Sequence, residues 1–357
     1  MAPRFSVLLP THNRADVLGY AIKSVLWQTE PDFEILVVGD GCTDNTADVV
    51  ASFADPRIRW FDLPKAPHYG YANRNVALKQ ATGDFVAFVA HDDLLFPDHL
   101  SMLVAHLERC ETEWCYSRPL WVSTDGTILP IAVNLTNADE LQYFLTVANS
   151  IPPCCVMHRR ACLDAYGYWP EDAPTAADWT LWRRIIEGGR CQRFAYCRTP
   201  TALHFKANWR DGRTGFGLAD ASLELIEMIE WWPTELQISI PPGVPEQEAF
   251  SSAIAAGGLQ WVEALRRAAD NAVDRSALTA LTKLIPQHAA TTSKIDTLER
   301  ELKHLANEGK HQTARAQTLE REVQRLRHEL SMLYKSRSWR LTEPLRVARR
   351  LAGAWRR

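Results

Sequence analysis

Short, dense apolar runs punctuate the first part of the chain, and each breaks off at polar residues. Phe5-Ser-Val-Leu-Leu-Pro10 meets Thr11, His12, Asn13 and Arg14. Phe33 to Val38 is closed by Gly39-Asp40-Gly41-Cys42-Thr43-Asp44-Asn45-Thr46, and Phe85 to Val89 ends at His91, Asp92 and Asp93. Runs of this length without polar alternation suit strands buried on both faces of a parallel sheet. Between them, Ala15 to Trp27 places Val17, Leu18, Ala21, Ile22, Val25 and Leu26 at helical spacing, which predicts an amphipathic helix. Arg57 to Phe61 reads as a third strand, and His68 to Asn75 as a loop running into a helix that stops at Gly83. Asp44 or Thr43 is placed to cap the helix that runs through Val50. Alternating strands and helices predict βαβ units and a mostly parallel sheet. In such sheets ligands bind at the carboxyl ends of the strands. Asp92 and Asp93 stand at one of those ends, where acidic side chains either hold a hard divalent cation or cap the helix opened by Pro97.

The pattern is less regular beyond Leu107. Trp114 to Val122 reads as a strand, Asp125-Gly126 as a tight turn, and Thr127 to Val133 as a returning strand. Ile151 to His158 precedes a short helix, and Tyr166-Gly-Tyr-Trp-Pro170 brings three rings together, suited to core packing or to stacking on a sugar face. Ala177-Asp178-Trp179 opens another helix. Trp209-Arg210 and the stretch from Asp211 to Gly217 suit a mobile flap. Leu218 to Trp232 is helical in pattern, prolines 233, 241, 242 and 245 interrupt it, and Glu246 to Ile285 reads as two helices. From Ile295 a heptad pattern sets in, with Ile295, Leu302, Gly309, Ala316, Val323 and Leu330 at a, and Leu298, Leu305, Gln312, Leu319, Leu326 and Leu333 at d. It predicts a coiled coil softened in the middle, joining copies of the chain through residues 295–333, or an amphipathic helix folded back on its own domain.

Composition adds exclusions. A hydrophobic content of 46% with 23% charged residues is that of a globular protein. No apolar run reaches the roughly 18 residues that span a bilayer, and no leader pattern opens the chain. The net charge of −3 is uninformative, but Ser336 onward carries seven arginines against Glu343. That basic end, with Trp339 and Trp355, suits an anionic membrane surface or a solvated tail. No recognition motif supports nucleic acid as a partner. Eight cysteines without a paired C-x-x-C spacing read as reduced thiols in a cytoplasmic protein.

Four segments in order, Ser6 to Arg14, Ile35 to Thr46, Asn73-Arg-Asn75 and His91-Asp-Asp93, resemble family 2 glycosyltransferases over roughly residues 4–210. The resemblance implies the GT-A fold, a Rossmann-like α/β architecture, here followed by a helical region and coiled coil. It also implies a nucleotide-sugar donor (UDP favoured), inversion at the anomeric carbon, a Mg²⁺ or Mn²⁺ cofactor, and a glycan or lipid-linked acceptor. The implied organisation is a catalytic domain over 1–215, a helical extension over 216–290, the coil over 291–335 and the basic tail over 336–357. The tail resembles those of bacterial polysaccharide-assembly enzymes, which implies a cytoplasmic protein peripheral to the inner face of the membrane.

Residue by residue, the resemblance implies that Thr11 begins the nucleotide pocket and that Asp40 accepts a hydrogen bond from the base. Arg74 and His91 contact the nucleotide, and Asn75 supports its loop. Asp92 matches the last acid of the Asp-x-Asp signature and becomes the metal ligand, with Asp93 behind it and His204 as a further metal or phosphate contact. Asp178, in a segment resembling Glu-Asp-x-x-Leu-Trp, becomes the general base; its residue-level alternative is an N-cap. Three acids common in the family are replaced, by Gly39, Ala90 and Ala177. A catalytically silent GT-A-like scaffold is therefore the alternative. Nucleotidyl transfer would need a basic Gly-rich loop near the first strand, which this chain lacks.

Overall fold

The computed structural model describes residues 2–188, 194–205, 231–279, 285–307 and 313–335. The expected flap at 209–217, the helical pattern at 218–230, Gly309, Gln312 and the basic tail lie outside these residues.

The apolar runs become β1 (Phe5–Thr11), β2 (Phe33–Asp40), β3 (Ile58–Leu63) and β4 (Phe85–Phe88), separated by α1 (Ala15–Leu26), α2 (Thr46–Ser52) and α3 (Tyr71–Leu78). β1 pairs in parallel with β2 and with β4, and β2 with β3. The seven-stranded sheet has the order β10-β6-β9-β4-β1-β2-β3. β1, β2 and β4 are buried along nearly their whole length, because helices cover both faces. The fold is thus α/β with a mostly parallel sheet, as the alternation predicts.

The sheet departs from the simple pattern at β9 (Val156–Arg159), which lies antiparallel between β4 and β6 (Trp114–Ser117). β10 (Ala195–Cys197) closes that edge beside β6. The single strand expected over Trp114 to Val122 is two: β6 in the main sheet and β7 (Leu120–Val122) in a second one. Pro119 stands at the break, where a residue without an N–H cannot continue a ladder. The returning strand is short, β8 (Ile128–Pro130). The second sheet runs β5-β11-β7-β8, where β5 (Leu94–Leu95) follows the acidic turn directly and β11 (Ala202–Phe205) carries His204. α4 (His99–Arg109), α5 (Ala138–Thr146), α6 (Ala161–Tyr166) and α7 (Ala177–Gly188) pack around this half.

Two compact units emerge, residues 1–269 and 270–357. The first therefore runs well past 215 and takes in most of α8 (Glu246–Thr279), whose helical geometry breaks at Gly258. In the second unit, α9 (Ile285–Asn307) and α10 (Thr313–Lys335) pair with one another. Only five residues separate them, a reach of at most ~20 Å against a helix length of about 34 Å, so α10 must run back along α9. Lys294 binds Glu322 at 3.0 Å, Arg327 binds Glu299 at 2.6 Å, and Ile295, Val323 and Leu326 are buried. The heptad seam expected to face another copy is, in the described residues, covered from within the chain. Among the described residues no helix is long and apolar enough to cross a membrane.

Candidate active site

The carboxyl end of β2 presents Asp40, which is buried and held on both oxygens. Oδ1 accepts from the Ala66 N–H at 2.8 Å and from Asn73 Nδ2 at 2.7 Å; Oδ2 accepts from Lys65 Nζ at 2.5 Å. A carboxylate has about four lone-pair sites, so a further donor can still be accepted. His68, Tyr69 and Gly70 all have positive φ (50°, 60° and 75°), a left-handed turn that leads into α3 against this carboxylate. A Cβ on Gly70 would lie 2.6 Å from the Asp40 carboxyl carbon, so only glycine permits the approach. The neighbouring Gly39, on the opposite face of β2, has a different reason. Its Cβ would lie 2.3 Å from the Trp60 ring, which fills the space a side chain would need.

α3 supplies three consecutive roles. Asn73 holds Asp40. Asn75 grips the backbone of Trp169, donating to its carbonyl at 2.8 Å and accepting from its N–H at 3.2 Å. Arg74 lies against both rings this arrangement fixes, 5.0 Å from the Tyr71 centroid and 5.1 Å from that of Trp169, which are themselves 5.9 Å apart. Burial lowers the Arg74 pKa, while Tyr71, Asp178 and Asp40 oppose the shift, so the guanidinium sits in the field of both candidate-site carboxylates. Its Nε is buried without a hydrogen-bond partner, and so is Thr11 Oγ1 at the end of β1. Of the three clustered aromatics, Trp169 alone reaches this place; Tyr166 is bonded to Glu113 and Tyr168 lies beside Lys79.

At the end of β4, Asp92 and Asp93 are completely buried, and His91 Nε2 lies 3.9 Å from Asp92 Oδ2. Asp93 is committed to β11: it accepts from His204 Nδ1 at 2.9 Å and from the Phe205 N–H at 3.1 Å. Antiparallel pairing of Leu94 with Leu203 sets this register. Because the carboxylate accepts, Nδ1 carries the proton, and Nε2 is the nitrogen suited to ligation. Asp93, Cys154 and His204 bring one donor atom each within 4.8 Å of one another, a cluster that does not include Asp92. Burial pushes the Cys154 thiol well up, so it stays protonated and is no donor for a hard cation. Asp92 offers the carboxylate oxygen that a hard divalent cation takes, and the outward nitrogen of His204 is a donor that Mn²⁺ accepts more readily than Mg²⁺.

Asp178 stands in the first turn of α7, half-buried. Burial raises its carboxyl pKa, opposed by the Trp179 N–H, Arg74 and His204. Ala177 beside it is fully buried.

α8 packs behind the acidic turn. Gln247 Nε2 donates to the Asp92 carbonyl at 3.2 Å, and the Phe250 ring meets that of Phe205 at 5.2 Å. Arg266 binds both oxygens of Asp98 at 2.7 and 2.8 Å and the Pro200 carbonyl at 2.8 Å. Neither residue carries a sequence signal of its role, since both lie in an ordinary helical pattern. Asn73 does lie in a quoted motif, and its distance from Asp40 along the chain concealed the link.

Residues 6–165 match the family model for glycosyl transferase family 2. A Campylobacter jejuni GalNAc(5)-diNAcBac-PP-undecaprenol beta-1,3-glucosyltransferase is 39% identical over 104 residues, covering 29% of this chain and 34% of the relative. An Escherichia coli UDP-Glc:alpha-D-GlcNAc-diphosphoundecaprenol beta-1,3-glucosyltransferase is 34% identical over 111 residues, 31% of this chain and 44% of the relative. The chain thus spans less than half the length of these curated relatives. A crystal structure of S. aureus TarS 1-349 in complex with UDP-GlcNAc superposes with a TM-score of 0.48 at 20% identity, covering 83% of this chain and 81% of that one.

Proposed function

Because residues 6–165 match the model for glycosyl transferase family 2, we propose that this chain moves a sugar from a nucleotide diphosphate donor to an acceptor hydroxyl, with inversion at the anomeric carbon. The observation that carries the proposal is Arg74. A cation packed against two rings, in the field of both Asp40 and Asp178, with a buried unpartnered Nε, suits the negative charge of a diphosphate. Thr11 and Asp40 bind the nucleoside, the spare acceptor sites of Asp40 taking a ring N–H. His91 contacts the nucleotide beside Asp92. Asp178 takes the proton of the acceptor hydroxyl as that oxygen attacks from the face opposite the departing diphosphate; its raised pKa makes it a better base than an exposed carboxylate. Asp92 and His204 hold Mg²⁺ or Mn²⁺, which supplies charge neutralisation for the leaving diphosphate.

The named relatives act on undecaprenol-linked substrates, which supports a lipid-linked acceptor and a UDP-sugar donor for this chain. Placement at the inner face of the membrane through residues 336–357 belongs to the same proposal. So does self-association through residues left exposed on α9 and α10.

The deciding test is calorimetric titration with UDP, GDP and dTDP, each with Mn²⁺ and with chelator. One nucleotide binding in a metal-dependent way, at least tenfold more weakly to Arg74→Ala, is expected. Binding of none would favour a silent scaffold, a reading to which the replacement of acids by Gly39 and Ala177 lends support.

A further inference from the structure

Tyr69 stands in the left-handed turn that leads into α3, with φ 60° and ψ 18°. Glycine takes that conformation freely, whereas a bulky side chain there is strained. Burial offers no compensation: the residue is 53% exposed, and every other described aromatic side chain is more covered. Neither backbone preference nor hydrophobic packing therefore accounts for an aromatic ring at this position. Strain of this kind clusters at ligand sites.

The neighbours of the ring locate it. It lies 6.2 Å from the Tyr71 ring, and Tyr71 is in turn 5.0 Å from the Arg74 guanidinium carbon and 5.9 Å from Trp169. Trp169 lies 5.8 Å from Phe88, the last residue of β4. Tyr69 is thus the solvent-facing end of an aromatic row that runs into the carboxyl end of the sheet. The next residue, Gly70, is pressed against Asp40, since a Cβ there would come within 2.6 Å of the carboxylate. An open π face beside a carboxylate with a spare acceptor site suits a flat ring that carries an N–H on its edge. A diphosphate has no face to stack. An acceptor sugar belongs beside Asp178 on the proposed reading, not beside Asp40.

We propose that the Tyr69 ring stacks on the nucleobase whose ring N–H is accepted by Asp40, closing the outer side of the base pocket. The proposal rests on the nucleotide reading of Asp40. It makes Tyr69 a binding residue outside the four motif segments, and it explains why a tyrosine holds a backbone position suited to glycine.

The test titrates the full chain with UDP, GDP, dTDP and inorganic diphosphate, each with Mn²⁺. Two variants are compared with the parent. Tyr69→Gly relieves the backbone and deletes the ring, and Tyr69→Phe keeps the ring face. Tyr69→Gly is expected to melt at or above the temperature of the parent, yet to bind the preferred nucleotide about tenfold more weakly, the scale of one base stacked on one ring. Tyr69→Phe should keep most of the affinity, and inorganic diphosphate should bind all three proteins alike. Parental nucleotide affinity in Tyr69→Gly would overturn the proposal. So would a loss in Tyr69→Phe as large as that in Tyr69→Gly, which would assign the effect to the hydroxyl. An equal loss for inorganic diphosphate would make Tyr69 a prop for its loop and overturn it too. Failure of the parent to bind any nucleotide would remove the nucleotide reading itself, and this proposal with it.

Discussion

Asn73 Nδ2 donates to Asp40 Oδ1 at 2.7 Å and, with its second hydrogen, to the Pro64 carbonyl at 2.8 Å. The amide is thus a bridge between the end of β2 and the loop after β3, and it fixes which lone pairs of Asp40 remain for a ligand. Asn73→Ala should weaken nucleotide binding about tenfold, the scale of one charge-assisted hydrogen bond in a site that must be preformed. Fluorescence or calorimetric titration reads this out, and an unaltered affinity would mean that Lys65 and the Ala66 N–H hold Asp40 unaided.

Arg74→Lys should behave as a loss, although it keeps the charge. A planar guanidinium packs against both the Tyr71 and the Trp169 ring, and an ammonium lacks the flat face for that contact. Each cation–π contact is worth ~0.5–2 kcal/mol, so nucleotide affinity should fall roughly tenfold or more. Trp169→Leu should reproduce part of that loss; wild-type affinity in both variants would show that the ring contacts of Arg74 do not contribute to binding.

Asp178→Asn should lower turnover by about 10²–10⁴-fold while donor binding stays intact, as expected for a lost general base. The sign of its pH dependence follows from burial. Because the carboxyl pKa is raised, the base is protonated at a higher pH than an ordinary aspartate, and the acidic limb of the rate profile should lie above the usual aspartate value. A profile whose acidic limb is already centred on the ordinary carboxylate pKa would assign the base elsewhere.

His99 and His158 are fully buried, and burial lowers both pKa values to about 4. The unfolded chain takes up protons on them near pH 6.5, the folded chain only near 4. Their contribution to stability is therefore complete above pH 6.5 and drains away as pH falls toward 4, by about 1.4 kcal/mol per unit for each ring. Melting temperature followed from pH 7 to 4 should drop more gently in His158→Gln than in the parent. Equal slopes would show that His158 is already protonated in the folded state.

Arg266→Ala removes both bonds to Asp98 and the one to the Pro200 carbonyl, leaving a carboxylate at 18% side-chain exposure without its counter-charge. Breaking such a pair costs about 3–5 kcal/mol when it is buried, and less here because water still reaches Asp98. A melting temperature lower by several degrees is expected, and an unshifted one would mean that α8 docks through Phe250 and Gln247 alone.

Much of this was legible in the order of residues. The runs ending at Thr11, Asp40 and His91 read as buried strands, and in a parallel sheet ligands bind at the carboxyl ends of such strands. β9 was hidden because Val156 to Arg159 is too short for its apolar content to distinguish strand from helix, and its place between β4 and β6 depends on contacts remote in sequence. The heptads of α9 and α10 specify a seam but not whose helix fills it; the short link between the helices decides that. Gln247 and Arg266 matter only through what α8 lies against, and a helical period says nothing about that. Gly39 and Ala177 read as lost acids in the sequence, and as packed positions beside Trp60 and in the core once folded.

The insertion of β9 beside β4 has a consequence for the chain as it leaves the ribosome. The strand bearing the acidic turn emerges early, yet its flanking partner arrives only with Arg159, its histidine with His204, its backing amide with Gln247, and the clamp on Asp98 with Arg266. Until then the apolar flank of β4 is an uncovered edge, a state that invites capture by chaperones or self-pairing. Any nascent fragment released between residues 210 and 246 would carry every segment of the family resemblance and still lack a finished centre, so nucleotide binding should switch on abruptly with length across a series of C-terminal truncations.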